Sequence, residues 1–336
     1  SNNHPLTTCS VDYENQADFF QAHDFQPDCD ADYIEKMQAY VGSSHRNIVL
    51  CNDQLIQSLE RVVKARDLPG MADIDGSLLL FCEEIKKFST VALSGEAADE
   101  IFGGYPWFHR SDWQNQHCFP WTNSISLRTD ILAPEVAESL RLADYIKYRY
   151  DEAHREAVEN TNEATHLQPA EKLMQQLSYL NITRFMPTLL DRKDRMSMAC
   201  GLEVRVPFCD HELVEYAFNI PWSMKAINGR EKGILRAALQ GMLPPEIIER
   251  KKSPYPKTHH PAYTKAMREM VLEIMANPRE PIHDWLNRQQ IQKIVNEYDQ
   301  HSQLPWFGQL MSGPQFFAYL IQVNFWLKEY KIRVIY

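Results

Sequence analysis

Glu96, Asp99 and Glu100 stand at i, i+3 and i+4 in the stretch Leu93-Ser94-Gly95-Glu96-Ala97-Ala98-Asp99-Glu100-Ile101-Phe102-Gly103-Gly104-Tyr105. The stretch follows an apolar, strand-like run and reads as the opening of a helix, which places the three carboxylates on one face. A helix that starts at the carboxyl end of a parallel strand is where open α/β sheets bind ligands. Ser94 and Gly95 offer a hydroxyl and a close backbone approach, and the first helical N–H groups favour an anion. Carboxylates beside an anion need a cation between them, and Mg2+ carrying a nucleotide phosphate supplies it. The plain alternative is an acidic first turn that only offsets the helix dipole. Gly103-Gly104 reads as a helix stop or turn in either case.

Three further stretches carry charge in patterns that could do chemistry. Asp191, Arg192, Asp194 and Arg195 form a dense cluster, followed by Glu203-Val204-Arg205, whose alternation suits a strand or extended segment. Its structural reading is an ion-pair network joining two parts of the fold. In Asn228-Gly229-Arg230-Glu231-Lys232-Gly233, a helix beginning near Gly229 would place Arg230 and Lys232 in its first turn. Cations are disfavoured there by the dipole, which points to an external phosphate or pyrophosphate, or else to ordinary surface charge. The Arg250–Pro261 loop is basic and stiffened by three prolines, and reads as a lid over a polyanion or as a solvated loop. His259-His260 makes no metal site, since adjacent side chains point apart and no third ligand is in view.

The elements that would position these groups change character along the chain. Up to about residue 110, short apolar runs at Thr7–Asp12, Asn47–Cys51 and Thr90–Leu93 alternate with helical patterns. The helices are one capped by Asp30 (Tyr33, Ile34, Met37, Val41), one with Leu55, Ile56, Leu59, Val62 and Val63 on one face, and Ser77–Lys87. Alternation of this kind predicts a parallel α/β sheet. After residue 110, long amphipathic segments follow: Ala133–Asn160, Ala170–Phe185, Lys232–Met242, Pro261–Ala276, Asn287–His301 and Gln315–Glu329. The expected organisation is a nucleotide-binding α/β part over 3–110 and a mostly α-helical part over 111–336. Three strands are few for a free-standing sheet, so the sheet reads as truncated at its N-terminus.

Composition narrows the function classes. The net charge of -10 argues against a general nucleic-acid binder or a protein that sits on anionic membranes. With 44% hydrophobic and 24% charged residues, the chain can build a core. Seven scattered cysteines without a CxxC pair predict neither a disulfide framework nor a zinc knuckle, and fit a reducing, cytoplasmic setting. Phe316–Leu327, interrupted by Gln322 and Asn324, is far short of the ~20 residues that span a bilayer and reads as a buried helix. The aromatic end (Trp306, Phe307, Phe316, Phe317, Tyr319, Phe325, Trp326) suits a core more than an interface.

Together, SGEAADEIFGGY, RKDRMSMACGLEVRVPFCD, NGREKGILR and RKKSPYPKTHHP resemble, in order and spacing, the C-terminal synthetase domain of glutamine-dependent asparagine synthetases. Cys9-Ser10-Val11-Asp12-Tyr13 resembles the strand whose backbone holds adenine. The resemblance spans nearly the whole chain and implies a parallel sheet of the adenine-nucleotide alpha-hydrolase (ATP pyrophosphatase) type. It implies that ATP adenylates the side chain of aspartate, and that ammonia then attacks β-aspartyl-AMP, the ammonia coming from glutamine through an N-terminal glutaminase domain. Carried over by motif, Val11, Ser94 and Gly95 would bind ATP or the acyl-adenylate, Glu96 would assist the ammonia step and Asp99 would ligate Mg2+. Lys232 would neutralise the charge growing on the phosphates, with Asp194, Arg195 and Arg230 in support. The resemblance admits a homodimer.

Two departures from the family pattern stand out. The pyrophosphate loop SGG-x-D-S is absent from this sequence, as is the glutaminase domain, so the chain is expected to be a fragment that does not synthesise asparagine unaided. The loop Asp67–Asp73 lacks the threonines and arginine that hold aspartate in some members. Asp73 and Asp75 would attract an ammonium and repel carboxylates, which leaves open a paralogue that amidates another carboxylate or forms a β-lactam, or a catalytically silent interaction protein.

Overall fold

A computed structural model describes residues 5–20, 28–114, 117–122, 125–161, 168–298, 304, 306–307 and 311–333. Its strands form two parallel pairs. β1 (Thr7–Tyr13) runs beside β2 (Ser44–Leu50) with Val11 opposite Ile48, and β3 (Val91–Leu93) runs beside β4 (Glu203–Arg205) with Ala92 opposite Val204. Among the described residues neither pair is hydrogen-bonded to the other. The three expected strands are present, and a fourth comes from Glu203-Val204-Arg205, beyond the change of character at residue 110. The rest is helical, so the fold is α/β with mostly helices and small parallel sheets.

Helix ends depart from the sequence reading for local reasons. The helix expected at Ser77 begins at Asp73 and runs to Lys86, so Asp73 and Asp75 lie in its first turn and are fully buried. Asp30 makes no capping bond; its carboxylate pairs with Arg250 at 2.5 Å instead. The segment expected as one helix over Ala133–Asn160 breaks at Arg141 (φ 44°) into Pro134–Leu140 and Leu142–Thr161. Pro169–Leu180 continues through a π-helical turn, Asn181–Phe185, into Met186–Ala199. Pro187 lacks an N–H and crowds the preceding turn, which accounts for the wider turn just before it. Asn181 is buried there, accepting from Trp107 Nε1 at 3.2 Å and donating to Leu177 O at 3.0 Å.

Pro261–Ala276 forms as expected, Gly313–Glu329 begins two residues before the expected start, and the helix expected from Asn287 runs only over Arg288–Asn296, where Glu297 leaves helical geometry. The expected end of that helix at His301 lies outside the described residues. The main core joins both halves of the chain, from Tyr13, Leu50 and Leu55 to Tyr263, Trp306, Phe316 and Phe317. Trp306 stacks on Phe316 with centroids 4.1 Å apart, so the aromatic end is core. The polar interruptions in the last helix bond to other segments, although Asn324 Oδ1 is buried without a hydrogen-bond partner. Gln322 donates to Leu59 O at 3.3 Å and accepts from Gly70 N at 3.2 Å, and Asn324 donates to Glu280 at 2.7 Å. No helix among the described residues is long and apolar enough to cross a membrane. Cys9, Cys29, Cys51, Cys82, Cys200 and Cys209 carry free thiols, and burial pushes the Cys82 thiol up to about 12.

Candidate functional site

The site grows from the end of β3. Ser94 N donates to Arg205 O at 2.9 Å, so the parallel partner strand fixes the turn that leaves the sheet. The chain then passes through Ala97 at φ 75° before Ala98–Phe102 forms a helix of five residues. That helix is too short to present the dipole-bearing terminus expected from the sequence. Glu96 lies before it, and the three carboxylates diverge to four different partners.

Those partners are Lys193, Lys232 and Lys252, together with a tyrosine. Glu96 Oε1 lies 2.9 Å from Lys193 Nζ, while Glu96 Oε2 is buried without a hydrogen-bond partner. Asp99 meets Lys232 at 2.7 Å on Oδ1 and Lys252 at 2.5 Å on Oδ2. Burial opposes the ionisation of Asp99, but Lys252 and Lys232 outweigh it and hold its carboxyl below the usual range. Glu100, 2% exposed, accepts from the Tyr105 hydroxyl at 2.5 Å. Burial raises its pKa, the bond from Tyr105 partly offsets this, and the Asp99 charge adds to the rise.

Both glycines of the FGGY turn are required by packing. Gly103 adopts φ +69°, and a Cβ on it would lie 2.4 Å from the Trp222 ring. A Cβ on Gly104 would lie 1.9 Å from Asp99 Oδ1. Gly95 differs: an added Cβ meets nothing within 4 Å, so open space borders it.

Of the residues expected from the sequence, Ser94, Gly95, Glu96, Asp99 and Lys232 come together here. Lys232 is not in the first turn of a helix. It stands in the left-handed region (φ 53°) as the residue before Gly233–Ala238, so the argument from an unfavourable dipole does not apply; its partner is Asp99. Gly233 supports this turn, since a Cβ there would lie 2.6 Å from Ile227 N. Val11 sits half-buried on β1, in the other sheet, opposite Ile48. Arg230 is paired with Glu249, Arg195 with Asp191 at 3.4 Å and Asp67 at 3.7 Å, and Asp194 lies exposed on its helix.

The Asp191–Arg195 cluster divides between surface and core. Arg192 is buried, 2.5 Å from Asp75, and donates to Ile74 O at 2.8 Å; Arg66 approaches the second Asp75 oxygen at 3.3 Å. Asp73 accepts from Gln315 at 3.3 Å. Asp75 is thus fully engaged inside the protein, whereas Asp73 Oδ1 is buried without a hydrogen-bond partner. The Arg250–Pro261 segment is mostly half-buried and packed against the fold, so it is not a solvated loop. Tyr13 donates to Pro256 O at 2.8 Å, Arg236 to Arg250 O at 2.9 Å, and Thr258 is buried.

Lys193, Lys252 and Tyr105 were not singled out from the sequence. The signal was present in charge arithmetic: clustered carboxylates at a partly buried site demand cations, and both lysines lie in stretches already marked. No group of three or more His, Cys, Asp or Glu suited to a metal occurs among the described residues. Mg2+ commonly uses only one or two carboxylates plus substrate phosphates; the Glu96 Oε2 atom is unpartnered, and Asp99 could join it once Lys232 and Lys252 turn to the phosphates.

A protein-family model described as asparagine synthase matches residues 1–328. The chain belongs to the asparagine synthase family. Within it, asparagine synthetase (glutamine-hydrolyzing) 3 of Bacillus subtilis strain 168 is 48% identical over 330 residues, covering 98% of this chain and 53% of that protein. Asparagine synthetase (glutamine-hydrolyzing) 1 of the same strain is 28% identical over 280 residues, 75% of this chain and 43% of that protein. The human asparagine synthetase (glutamine-hydrolyzing) is 24% identical over 259 residues, 75% of this chain and 34% of that protein. The chain thus spans about half the length of the first of these family members.

Proposed function

We propose that this chain is the synthetase part of a glutamine-hydrolysing asparagine synthetase, converting aspartate, ATP and ammonia to asparagine, AMP and pyrophosphate. The observation that carries the proposal is the carboxylate–lysine cluster, Glu96, Asp99, Lys193, Lys232 and Lys252, gathered where β3 ends. In this reading the β-carboxylate of aspartate attacks the α-phosphorus of ATP. The bond to the bridging oxygen breaks, and pyrophosphate leaves as its charge is neutralised by Lys232. Charge stabilisation by fixed groups is the main lever on phosphoryl-type transfers. Ammonia then attacks the acyl carbon of β-aspartyl-AMP, and AMP leaves. Glu96, with Oε1 held by Lys193, has Oε2 to take the proton released as the amide forms. Mg2+, where bound, would be held by Asp99 and would supply charge to the phosphates.

The same reading extends to the fold. The two parallel pairs are taken as parts of one ATP-pyrophosphatase-type sheet, with Val11 on the adenine-binding strand, residues 3–110 as the nucleotide part and 111–336 as the helical part. The test is aspartate-dependent exchange of labelled pyrophosphate into ATP, run with the chain and with a version extended to carry an SGG-x-D-S loop. Exchange in the extended version that needs aspartate and is lost in Lys232→Ala is the expected result. Exchange driven only by another carboxylate would move the reading to a paralogue. Absence of exchange with every carboxylate in both versions would overturn it.

A further inference from the structure

Asp99 holds two ammonium groups at once, one on each oxygen, and all three side chains are largely shielded: Lys232 is 22% exposed, Lys252 17% and Asp99 21%. Like charges gathered in a partly desolvated place repel more strongly than in water, and one carboxylate balances only one of them. With Glu96 engaged by Lys193 and Glu100 by the Tyr105 hydroxyl, the cluster as a whole is balanced, but Lys232 and Lys252, from two separate segments, share the single carboxylate of Asp99. A ligand with several anionic oxygens would give each ammonium group a partner of its own.

Lys252 is built into this position. Its ammonium lies over the Tyr105 ring, 4.8 Å from the centroid, a contact that favours a cation. The backbone around it is anchored through Arg250 O and Pro256 O, and Pro254 and Pro256 restrict the chain between. A side chain carried on so fixed a segment loses less freedom when a ligand arrives. Beside it the Ser253 hydroxyl is buried without a partner, a second donor in want of an acceptor.

We propose that Lys252 is a second phosphate-binding lysine, that it grips the pyrophosphate part of the nucleotide together with Lys232, and that Asp99 is the positioning residue that stores both ammonium groups beforehand. The proposal rests on the nucleotide reading of this site and adds a residue to it. Inorganic pyrophosphate is titrated calorimetrically, with and without Mg2+, into the chain and the extended version, each as wild type, Lys252→Gln, Lys252→Arg, Lys232→Ala and Lys251→Ala. Lys251 is the exposed neighbour and serves as the control. The expected result is a loss of about tenfold or more in Lys252→Gln, the scale of one charged hydrogen bond, with most affinity kept in Lys252→Arg and no change in Lys251→Ala. Lys252→Gln binding as tightly as wild type while Lys232→Ala binds weakly would leave the nucleotide site standing and overturn the role of Lys252. A lower melting temperature in Lys252→Gln with unchanged affinity would likewise make Lys252 structural only. Wild type that binds no pyrophosphate in either version would overturn both readings.

Discussion

Gly104→Ala tests how the site is assembled. The added Cβ would fall 1.9 Å from Asp99 Oδ1, 2.7 Å from Cγ and 2.9 Å from Cβ. Rotating the carboxylate relieves only the first contact and swinging the whole side chain the first two, but neither moves Cβ, so the turn itself must shift. Overpacking of this kind costs about 1–3 kcal/mol. The upper half of that range is expected here, because moving Asp99 strips two partly buried lysines of their partner. Gly95→Ala is the matched comparison: with nothing within 4 Å of its Cβ, it should change stability by less than about 0.5 kcal/mol. Its methyl group instead fills open space beside Ser94, on the side assigned to the nucleotide. Urea unfolding gives the midpoint and slope for each variant, and calorimetric titration of ATP gives the affinity. Gly104→Ala should lower the midpoint and weaken ATP, whereas Gly95→Ala should keep the midpoint and weaken ATP. Wild-type stability and affinity in Gly104→Ala would refute the placement of Asp99 against that turn. A lowered midpoint in Gly95→Ala would refute the open space.

Two further outcomes concern the buried charges. Arg192→Met should cost about 3 kcal/mol, the low end for removing one partner of a buried pair, because Asp75 keeps Arg66 at 3.3 Å and Met71 N at 2.7 Å; a loss under about 1 kcal/mol in urea unfolding would contradict this. Burial pushes Asp73 up to about 6, against the pull of Gln315 and Lys257, so its folded-state pKa is raised and the folded form holds its proton longer. Its contribution to stability is full below about pH 4 and is lost as pH rises through about 6, a fall of about 3 kcal/mol. Asp73→Asn should flatten that slope and be the more stable form at pH 7, and a variant curve parallel to wild type would show that Asp73 does not carry the dependence.

What the sequence revealed depended on how local each determinant is. Periodicity located Pro261–Ala276 and the three strands because their apolar positions are set by their own segments. The start of the Asp73 helix was hidden because two aspartates look like loop residues until Arg192 and Gln315, both distant in sequence, are brought against them. Motif spacing found Glu96, Asp99 and Lys232, but not the contacts that hold them. The short helix and the left-handed Lys232 remove the dipole argument, and the contacts that replace it come from segments far along the chain, 153 residues away for Lys252. Lys193 and Lys252 were hidden for the same reason, each being one lysine in a basic run until the fold selects it.

That selection also bears on how the site would work. Glu96 and Asp99 sit on one turn, and their lysines arrive from the Met186–Ala199 helix, the residue before Gly233–Ala238 and the anchored 250–260 segment. The ammonium groups are therefore desolvated when the chain folds, each against a carboxylate, and not when a ligand enters. A polyphosphate arriving there exchanges one anionic partner for another with little loss of hydration at that moment, and fixed charge of this kind can meet charge as it develops without reorganising. The carboxylates that the sequence suggests as a cation trap are, in the folded chain, the groups that hold the cations ready.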